Sequence, residues 1–358
     1  MNPETSAALT RADVEFNAFG VRLVPSFEDR ACARIVSWVF QSHEGHDKLN
    51  GTVRIVSRRS GQPPERPTGT AWRILGSDIA VAPGEIWYRQ GRHVVRAAYD
   101  QSSTTLEVQA RFIPRVDRRL RSLVLPQGRT RWEDALHDVR GAVYLPLFWF
   151  LTKTRGVAVV HAAAVSWKGN GILIVGLNGS GKTTLAAKMR ALGAQPIADN
   201  YGLVSADGVL IPFPELERAE LVPADQKTLF CAFGKRFAQS VTIWPPPVPL
   251  STILLLSRSD QFRISLLTPA STLEGLSVVH RLTPEFIEHS PLALLGAQPS
   301  WMDANVRPES DLATTWPERV VRSMRDARAY SVSVTPEMLL ETTRVQQLLD
   351  LTSAARVQ

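Results

Sequence analysis

The spacing of apolar residues changes along the chain and divides the sequence into three parts. Between residue 13 and about residue 113, short segments such as FGVRLV, TVRIV and TTLEVQARFI alternate polar and apolar positions, and Gly, Pro, Ser and Asp separate them. Alternation with a period of two is typical of half-buried β-strands. The stretch SGQPPERPTGT (60–70) has no core-forming residues and predicts a loop. We therefore predict a small, mostly antiparallel β domain over residues 1–130.

A helical period follows in the segment RWEDALHDVRGAVYLPLFWFLTKTRG (131–156). Its apolar residues cover a wide face, which indicates a helix that connects two domains. Pro146 is expected to kink or divide this helix, because proline lacks the N–H needed for an intrahelical hydrogen bond. Gly156 predicts the C-terminal end of the helix.

From residue 157 onwards, strand and helix signals alternate. VAVVHAAAVSW and ILIVG are apolar strand patterns, KTTLAAKMRALG is a helical pattern, and QPIADN, GLVSA and GVLIPF are short strand patterns. This order of strand, loop, helix and strand is typical of an α/β nucleotide-binding core. We therefore predict a fold of combined α+β and α/β class, with a P-loop domain over residues 157–358.

The C-terminal part of that domain is predicted to be an accessory segment. WPPPVPL (244–250) indicates extended chain that leads into the buried strand STILLLS, and YSVSV indicates another strand. Thr335 is expected to cap a final helix over residues 336–351, with Pro336 at its first position.

The composition of the 358 residues, 44% hydrophobic and 21% charged, is that of a globular protein large enough for two domains. No apolar run reaches the roughly 18 residues of a membrane helix, and the N-terminus has no apolar segment of a signal peptide. The two cysteines, Cys32 and Cys231, are far apart and in no metal or redox spacing. We therefore expect a cytoplasmic protein without a membrane partner.

The net charge of +7 indicates acidic partners, such as phosphates, nucleotides, an acidic peptide or nucleic acid. Arginine is concentrated in residues 111–132, where aromatic residues are few and no nucleic-acid-binding motif occurs. This pattern disfavours nucleic acid as the partner. It leaves two interpretations open for the segment, a solvated face and a docking surface for an acidic substrate.

The sequence GLNGSGKT matches the Walker A pattern G-x-x-x-x-G-K-[ST] at every fixed position and lies between a strand pattern and a helix pattern. Glycines allow such a loop to point successive backbone N–H groups into one cavity, and the following helix adds its positive N-terminal end. We predict that the loop binds ATP through Gly176, Leu177, Asn178, Gly179, Ser180, Gly181, Lys182, Thr183 and Thr184. Lys182 is expected to reach the β- and γ-phosphates, and the Thr183 hydroxyl to bind Mg²⁺.

A β-hairpin is predicted to direct His161 towards this loop. Asn170-Gly171 is a strong turn signal between the strand that contains His161 and the strand ILIVG. If residues 168–171 form a four-residue turn, His161 lies opposite Asn178. His161 then contacts phosphate or orients the phosphate acceptor, although the same pattern fits a buried core histidine.

A magnesium-nucleotide site also needs a carboxylate at the end of a strand. The strand STILLLS ends in Ser257-Arg258 and offers no acid there, whereas QPIADN ends in Asp199 after one helix and one strand. We therefore assign Asp199 to metal binding or to base catalysis. The alternative is an ordinary aspartate in a turn.

HAAAV, the hairpin, GILIVGLNGSGKTTLA and GAQPIADN together resemble the core of the HPr kinase/phosphorylase superfamily, whose fold is shared with phosphoenolpyruvate carboxykinase. RGVAVVHAAAV and NAFGVRLVPSF are similar to HPr-kinase-like proteins that accompany peptide-modification gene sets. The likeness is closest over about residues 131–215 and weaker towards both ends of the chain. It implies transfer of phosphate from ATP, with Mg²⁺, to a hydroxyl of a protein, peptide or small molecule, usually a serine hydroxyl. It also implies that His161 lies near the phosphate and the acceptor and that Asp199 is the first acid of an Asp-Asp pair.

The sequence departs from that family in two places. The second acid of the pair is replaced by Asn200, whose amide cannot accept a proton at neutral pH. Either Asp199 both binds the metal and acts as the base, or another acid is the base, or the acceptor reacts without a strong base, which phosphoryl transfer tolerates. The Glu-Arg-Gly segment of the family is absent, which argues against HPr as the substrate.

The sequence leaves the remaining features of such a kinase open. Lys227, Lys235 or Arg236 could meet the charge of the transferred phosphate, or could be plain surface charges. Rival interpretations are a nucleotide-binding partner protein that has lost transfer chemistry and a nucleotide hydrolase. The family often forms rings, so a homo-oligomer also stays open.

Overall fold

The computed structural model describes residues 10–11, 15–40, 51–59, 62–69, 72–74, 78–90, 93–113, 127–213, 215–218, 228–232, 235–238, 245–282, 316–324, 327–335 and 337–353. They form a mixed α/β protein with mixed sheets and two compact units. Among the described residues, the first unit contains 10–150 and 216–238, and the second contains 151–215, 245–282 and 316–353. The chain thus passes from one unit to the other inside the segment 131–156.

The strands are β1 (Thr10–Arg11), β2 (Phe16–Ala18), β3 (Val21–Phe27), β4 (Thr52–Arg58), β5 (Arg73–Ile74), β6 (Ile79–Ala82), β7 (Glu85–Gln90), β8 (His93–Asp100), β9 (Thr105–Phe112), β10 (Ala158–Trp167), β11 (Asn170–Gly176), β12 (Gln195–Ala198), β13 (Tyr201–Val204), β14 (Val209–Ile211), β15 (Glu217–Arg218), β16 (Thr228–Ala232), β17 (Lys235–Ala238), β18 (Val248–Arg258), β19 (Arg263–Leu267) and β20 (Arg328–Val334). The α-helices are α1 (Arg30–Phe40), α2 (Gln127–Val139), α3 (Leu145–Arg155), α4 (Lys182–Ala191), α5 (Pro269–Leu282), α6 (Trp316–Ser323) and α7 (Thr342–Ser353).

The first unit contains a nine-stranded sheet in the order β1-β3-β4-β9-β8-β7-β6-β5, with β2 on β3. The pairs β3–β4 and β4–β9 are parallel and the other pairs are antiparallel. Helix α1 lies between β3 and β4 in sequence, where a parallel pair needs a crossover. The strand-based prediction missed this helix, although Asp29 accepts a hydrogen bond from Ala31 N (2.6 Å) at its start and Ile35, Val36 and Val39 form a buried face.

The connecting helix forms over the predicted segment but contains a π-helical turn at Arg140–Tyr144, immediately before α3. Pro146 lies in the first turn of α3, so the irregular turn replaces the regular hydrogen bonding that proline would interrupt. Gly156 follows the last residue of α3 with a positive φ of 63°, as predicted for the end of this helix.

Four aromatic rings join the small sheet β15-β17-β16 to the helices of the first unit. Trp132 on α2 stacks on Trp38 of α1 (5.5 Å between centroids) and on Phe230 of β16 (4.5 Å), and Phe230 stacks on Phe237 of β17 (5.3 Å). Aromatic pairs at such distances contribute beyond their buried area. The segment 216–238 therefore belongs to the first unit, although it follows β14 of the second.

The second unit is built around β11, which pairs antiparallel with β10 and parallel with β18. Strand β18 is also parallel to β20, and β20 is antiparallel to β19. On the other side, β10 pairs with β12 and β13, β13 pairs with β14, and β14 returns to β18, so that these pairings close a ring. The parallel strands β11, β18 and β20 end at the same edge of the sheet, and α4 begins there after β11.

The hairpin between β10 and β11 has a shorter turn than predicted. Trp167 pairs with Asn170, so Lys168 and Gly169 form a two-residue turn, with φ of 50° and 76°. Two successive positive φ values are characteristic of the type I′ turn, whose twist matches that of the flanking strands. The predicted four-residue turn is therefore wrong, and the strand register differs by two residues from the expected one.

The end of the chain also differs in detail from the prediction. Thr335 Oγ1 accepts a hydrogen bond from Met338 N (3.3 Å), but it caps a 3₁₀ turn at Met338–Leu340. Glu341 is extended (ψ 113°), so α7 begins only at Thr342, and Pro336 lies outside the described residues. Helices α5 and α6 were not predicted. No helix in the described part of the chain is long and apolar enough to cross a membrane.

Candidate functional site

The predicted phosphate loop connects the end of β11 to the start of α4. Gly179 (φ 77°) and Gly181 (φ 101°) adopt left-handed backbone conformations within it. Ser180 N donates a hydrogen bond to Leu177 O (3.0 Å), which closes a tight turn inside the loop. These conformations are open to glycine at little cost and explain why the pattern places glycines here.

Steric crowding restricts two of the glycine positions as well. A Cβ atom on Gly176 would lie 2.5 Å from Ser180 Oγ and 2.8 Å from Leu256 O of the neighbouring strand β18. A Cβ atom on Gly181 would lie 2.4 Å from Leu339 Cδ1 in the 3₁₀ turn before α7. The loop is therefore tightly supported on two sides, which leaves its shape little freedom to change.

Lys182, the first residue of α4, folds back over the loop. Its Nζ donates hydrogen bonds to Gly176 O (2.7 Å) and Leu177 O (3.1 Å), and the side chain is only 7% exposed. Ser180 Oγ is buried and has no hydrogen-bond partner among the described residues. A held ammonium group, an unsatisfied hydroxyl and the free N–H groups at a helix N-terminus suit a polyphosphate.

The structure brings His161 to this loop, as predicted. His161 lies on β10, is 7% exposed, and has its Nε2 3.1 Å from Asn178 Oδ1. With an amide oxygen as acceptor, Nε2 carries the proton. The contact occurs despite the shorter turn because the ladder of β10 and β11 ends at Ala162 and Val175, beyond which the side chain of Asn178 reaches back to the histidine.

Asp199 and Asn200 form the turn between β12 and β13, beside β10. Asn200 O accepts a hydrogen bond from Ala162 N (3.2 Å), the residue next to His161. The Asp199 carboxylate is half-buried and forms no hydrogen bond or ion pair with the described residues. The hydroxyl of Thr183 is also without a hydrogen bond to them. Both predicted magnesium ligands are therefore available.

Glu215 is a site residue that the sequence reasoning did not single out. Its carboxylate is buried and accepts hydrogen bonds from Asn200 N (2.8 Å), Asn200 Nδ2 (3.0 Å) and Asp199 N (3.3 Å). Phe213 N donates to Ile197 O (3.0 Å), which brings the chain after β14 back along β12 and places Glu215 at the turn. The Phe213–Ile197 hydrogen bond joins residues that are far apart in the sequence. The only sequence signal for this site residue is the acid that follows Pro214 in PFPELE.

Arg258 is a second residue that was missed. The sequence showed only that β18 ends in Ser257-Arg258 without an acid. In the structure, Arg258 Nε donates a hydrogen bond to Gly179 O (2.8 Å) inside the loop. Its position at the end of a strand parallel to β11 is the signal that could have found it. Of the cations proposed from sequence, Lys235 and Arg236 lie on β17 in the first unit, and Lys227 lies outside the described residues.

Two further residues of the loop lie at the surface. Leu177 is 40% exposed and Thr184 is exposed at the start of α4. Within the described residues, no three His, Cys, Asp or Glu side chains converge in a cluster that could hold a metal ion. A Mg²⁺ ion bound with a nucleotide does not require such a cluster, since phosphate oxygens and water supply most of its ligands.

The chain matches no protein-family model, and no curated protein is significantly similar to it.

Proposed function

We propose that this protein is an ATP- and Mg²⁺-dependent phosphotransferase of the HPr-kinase-like type, with a P-loop core related to that of phosphoenolpyruvate carboxykinase. It transfers the γ-phosphate to a hydroxyl, that of serine or threonine, on a peptide, protein or small metabolite. The observation that carries the proposal is the contact of His161 Nε2 with Asn178 of the loop (3.1 Å), with the Asp199-Asn200 turn bonded to the residue beside His161.

The loop and two cations bind the triphosphate. The Lys182 ammonium exchanges its contacts with Gly176 O and Leu177 O for phosphate oxygens. The attraction between the ammonium and the phosphate charges is stronger in this buried position than in water. Arg258, held at Gly179 O, adds a guanidinium at the rim of the loop. Phosphoryl transfer depends mainly on such positioning and charge neutralisation, so the support of the loop contributes directly to the rate.

Thr183 and Asp199 are the residues that would hold Mg²⁺. When bound, the ion neutralises charge on the phosphates and orients them for in-line attack. The hydroxyl of Thr183 and the carboxylate of Asp199 are both oxygen ligands of the type that Mg²⁺ prefers, and neither is engaged by another described residue.

Asp199 also accepts the proton of the acceptor hydroxyl. Asn200 cannot do so, because its amide is not basic and its Nδ2 donates to Glu215. Glu215 accepts three N–H groups and positions the turn. His161, with its proton on Nε2, orients the loop through Asn178 and stands next to the carboxylate-bearing turn.

A second function is favoured by one observation. The Asn200 side chain is engaged in a hydrogen bond with Glu215 (3.0 Å), so this position has a structural partner in place of the second acid. A nucleotide-binding partner protein without transfer chemistry would retain the loop and lose the base in this way. A nucleotide hydrolase remains the third outcome of the experiment below.

Incubation with γ-labelled ATP, Mg²⁺ and candidate hydroxyl peptides or metabolites tests the proposal. Label on an acceptor supports the kinase, free phosphate alone supports a hydrolase, and tight binding without turnover supports the partner protein. Lys182→Ala is expected to reduce transfer at least about 100-fold. Lys188→Ala, which removes the same charge later in α4, is the matched control and is expected to retain transfer. Equal transfer by both variants would contradict the proposal.

A further inference from the structure

The first unit contains a cavity that the phosphotransferase site does not use. Its volume is about 350 Å³. Strands β4 and β9 and the loop after β4 line it, with the residues Val56, Arg58, Gln62, Pro63, Pro64, Gln109, Ala110 and Arg111. Cavities of a few hundred cubic ångströms are the size that small ligands occupy in proteins.

Strand register places two arginines side by side in this cavity. Strands β4 and β9 are parallel neighbours, in which Arg58 pairs with Arg111 and Val56 pairs with Gln109. Neighbouring strands lie roughly 4.8 Å apart, so the two side chains leave the sheet close together on one face. Like charges directly opposite each other in a sheet are destabilising unless an anion compensates them.

The described residues provide no such anion. Neither Arg58 nor Arg111 forms an ion pair or hydrogen bond with them, and the Nε atom of Arg111 is buried without a partner. Other arginines of the same unit are paired: Arg96 binds Glu85 (2.6 Å) and Arg59 binds Asp29 (2.6 Å). Arg58 is exposed, whereas the Nε atom of Arg111 is a buried donor without a partner, which costs free energy that a bound anion would recover.

The loop that lines the cavity is bonded to strand β7 of the sheet. Trp87, which is 5% exposed, donates a hydrogen bond from Nε1 to Pro64 O (3.0 Å). Consecutive prolines at Pro63 and Pro64 also restrict the backbone of this loop. The cavity is therefore a preformed site, which lowers the entropic cost of binding a ligand.

We propose that this cavity binds a small phosphate monoester. A phosphate monoester carries close to two negative charges at pH 7 and matches two guanidinium groups, each able to bind two of its oxygens. Gln62 and Gln109 form no side-chain hydrogen bond with the described residues, and their amides bind the hydroxyl or carbonyl groups of the rest of the ligand. Val56 and the prolines cover its carbon skeleton.

Calorimetric titration of the full-length chain with glycerol 3-phosphate tests the proposal. Because the P-loop also suits phosphate, the titration uses the Lys182→Ala background at constant ionic strength. Glycerol and succinate, a neutral parent and a dicarboxylate, are titrated in parallel. Saturable binding of glycerol 3-phosphate is expected, with affinity reduced at least about tenfold by Arg58→Gln or by Arg111→Gln.

The matched control is Arg54→Gln, which removes the same charge from the same face of β4 outside the cavity and is expected to retain binding. Arg58→Lys and Arg111→Lys replace the glutamine variants if those fail to fold, and the same reduction is expected because the planar fork is lost. Absence of saturable binding, tighter binding of succinate, or an equal loss in Arg54→Gln would each overturn the proposal. A failure here leaves the phosphotransferase proposal intact, because the two sites share no residue.

Discussion

Replacement of Glu215 by glutamine tests the arrangement of the Asp199-Asn200 turn. The carboxylate accepts three hydrogen bonds, two of them from the backbone N–H groups of Asp199 and Asn200. Glutamine has almost the same shape, but one of its two terminal atoms is a donor. It therefore opposes a donor to one of the three N–H groups and turns the other contacts into neutral hydrogen bonds.

The size of the effect follows from these contacts. A hydrogen bond to a charged group is worth about 1.5–3 kcal/mol and a neutral one about 0.5–1.5 kcal/mol. Losing one bond and weakening the others predicts a loss of about 2–3 kcal/mol in the free energy of unfolding for Glu215→Gln. Glu215→Ala leaves buried N–H groups without an acceptor, and we expect about 3–5 kcal/mol.

Urea denaturation and phosphate transfer from labelled ATP measure the two consequences. We expect transfer to fall more than nucleotide affinity, because Asp199 moves while the loop stays in place. Asp207→Asn, an exposed carboxylate before β14, is the control and should change neither quantity. If the unfolding free energy of Glu215→Gln lies within about 0.5 kcal/mol of that control, the turn is not held as described.

Three further predictions concern the loop, the acids and pH. Gly181→Ala forces a left-handed φ on alanine and a clash with Leu339, so nucleotide affinity measured by calorimetry should fall at least about tenfold. Asp199→Asn should greatly reduce phosphate transfer without preventing nucleotide binding, and full activity of this variant would contradict the role of Asp199. If Asn200→Asp transfers phosphate faster than the unmodified chain, a base is missing at that position. Burial lowers the pKa of His280 from 6.5 to about 4. As pH drops, the imidazole of His280 is protonated in the unfolded chain before it is protonated in the folded chain. The free energy of unfolding should therefore fall by up to roughly 3 kcal/mol between pH 6.5 and pH 4. The same dependence of unfolding free energy on pH in a His280→Gln chain would refute this.

The parts of the site that were predictable are local in sequence. The strand, the glycine loop at residues 176–184 and the helix form a continuous pattern in the sequence. Glycines occur in it where the backbone of the loop has a positive φ, as at Gly179 and Gly181. His161 was also predictable, since a hairpin relates nearby positions. The turn itself was misassigned because Asn170-Gly171 matches the turn signal better than Lys168-Gly169, and the choice depends on the pairing of both whole strands.

The parts that escaped prediction depend on distant pairings. Glu215 reaches the turn only because Phe213 bonds to Ile197, and Arg258 reaches the loop only because β18 pairs with β11. Helix α1 was missed because its short apolar stripe lies among segments of strand period. The membership of residues 216–238 in the first unit rests on aromatic stacking between distant segments, for which no local pattern exists.

Hydrogen–deuterium exchange of the full-length chain, with and without Mg²⁺ and ATP, tests the central claim most directly. If backbone N–H groups hold the phosphates, exchange should slow in peptides that cover residues 176–184 and in those that contain His161 and the Asp199-Asn200 turn. The slowing should be absent in Lys182→Ala and present in Lys188→Ala. Unchanged exchange across residues 176–184 at saturating nucleotide would contradict the assignment of this loop as the phosphate site.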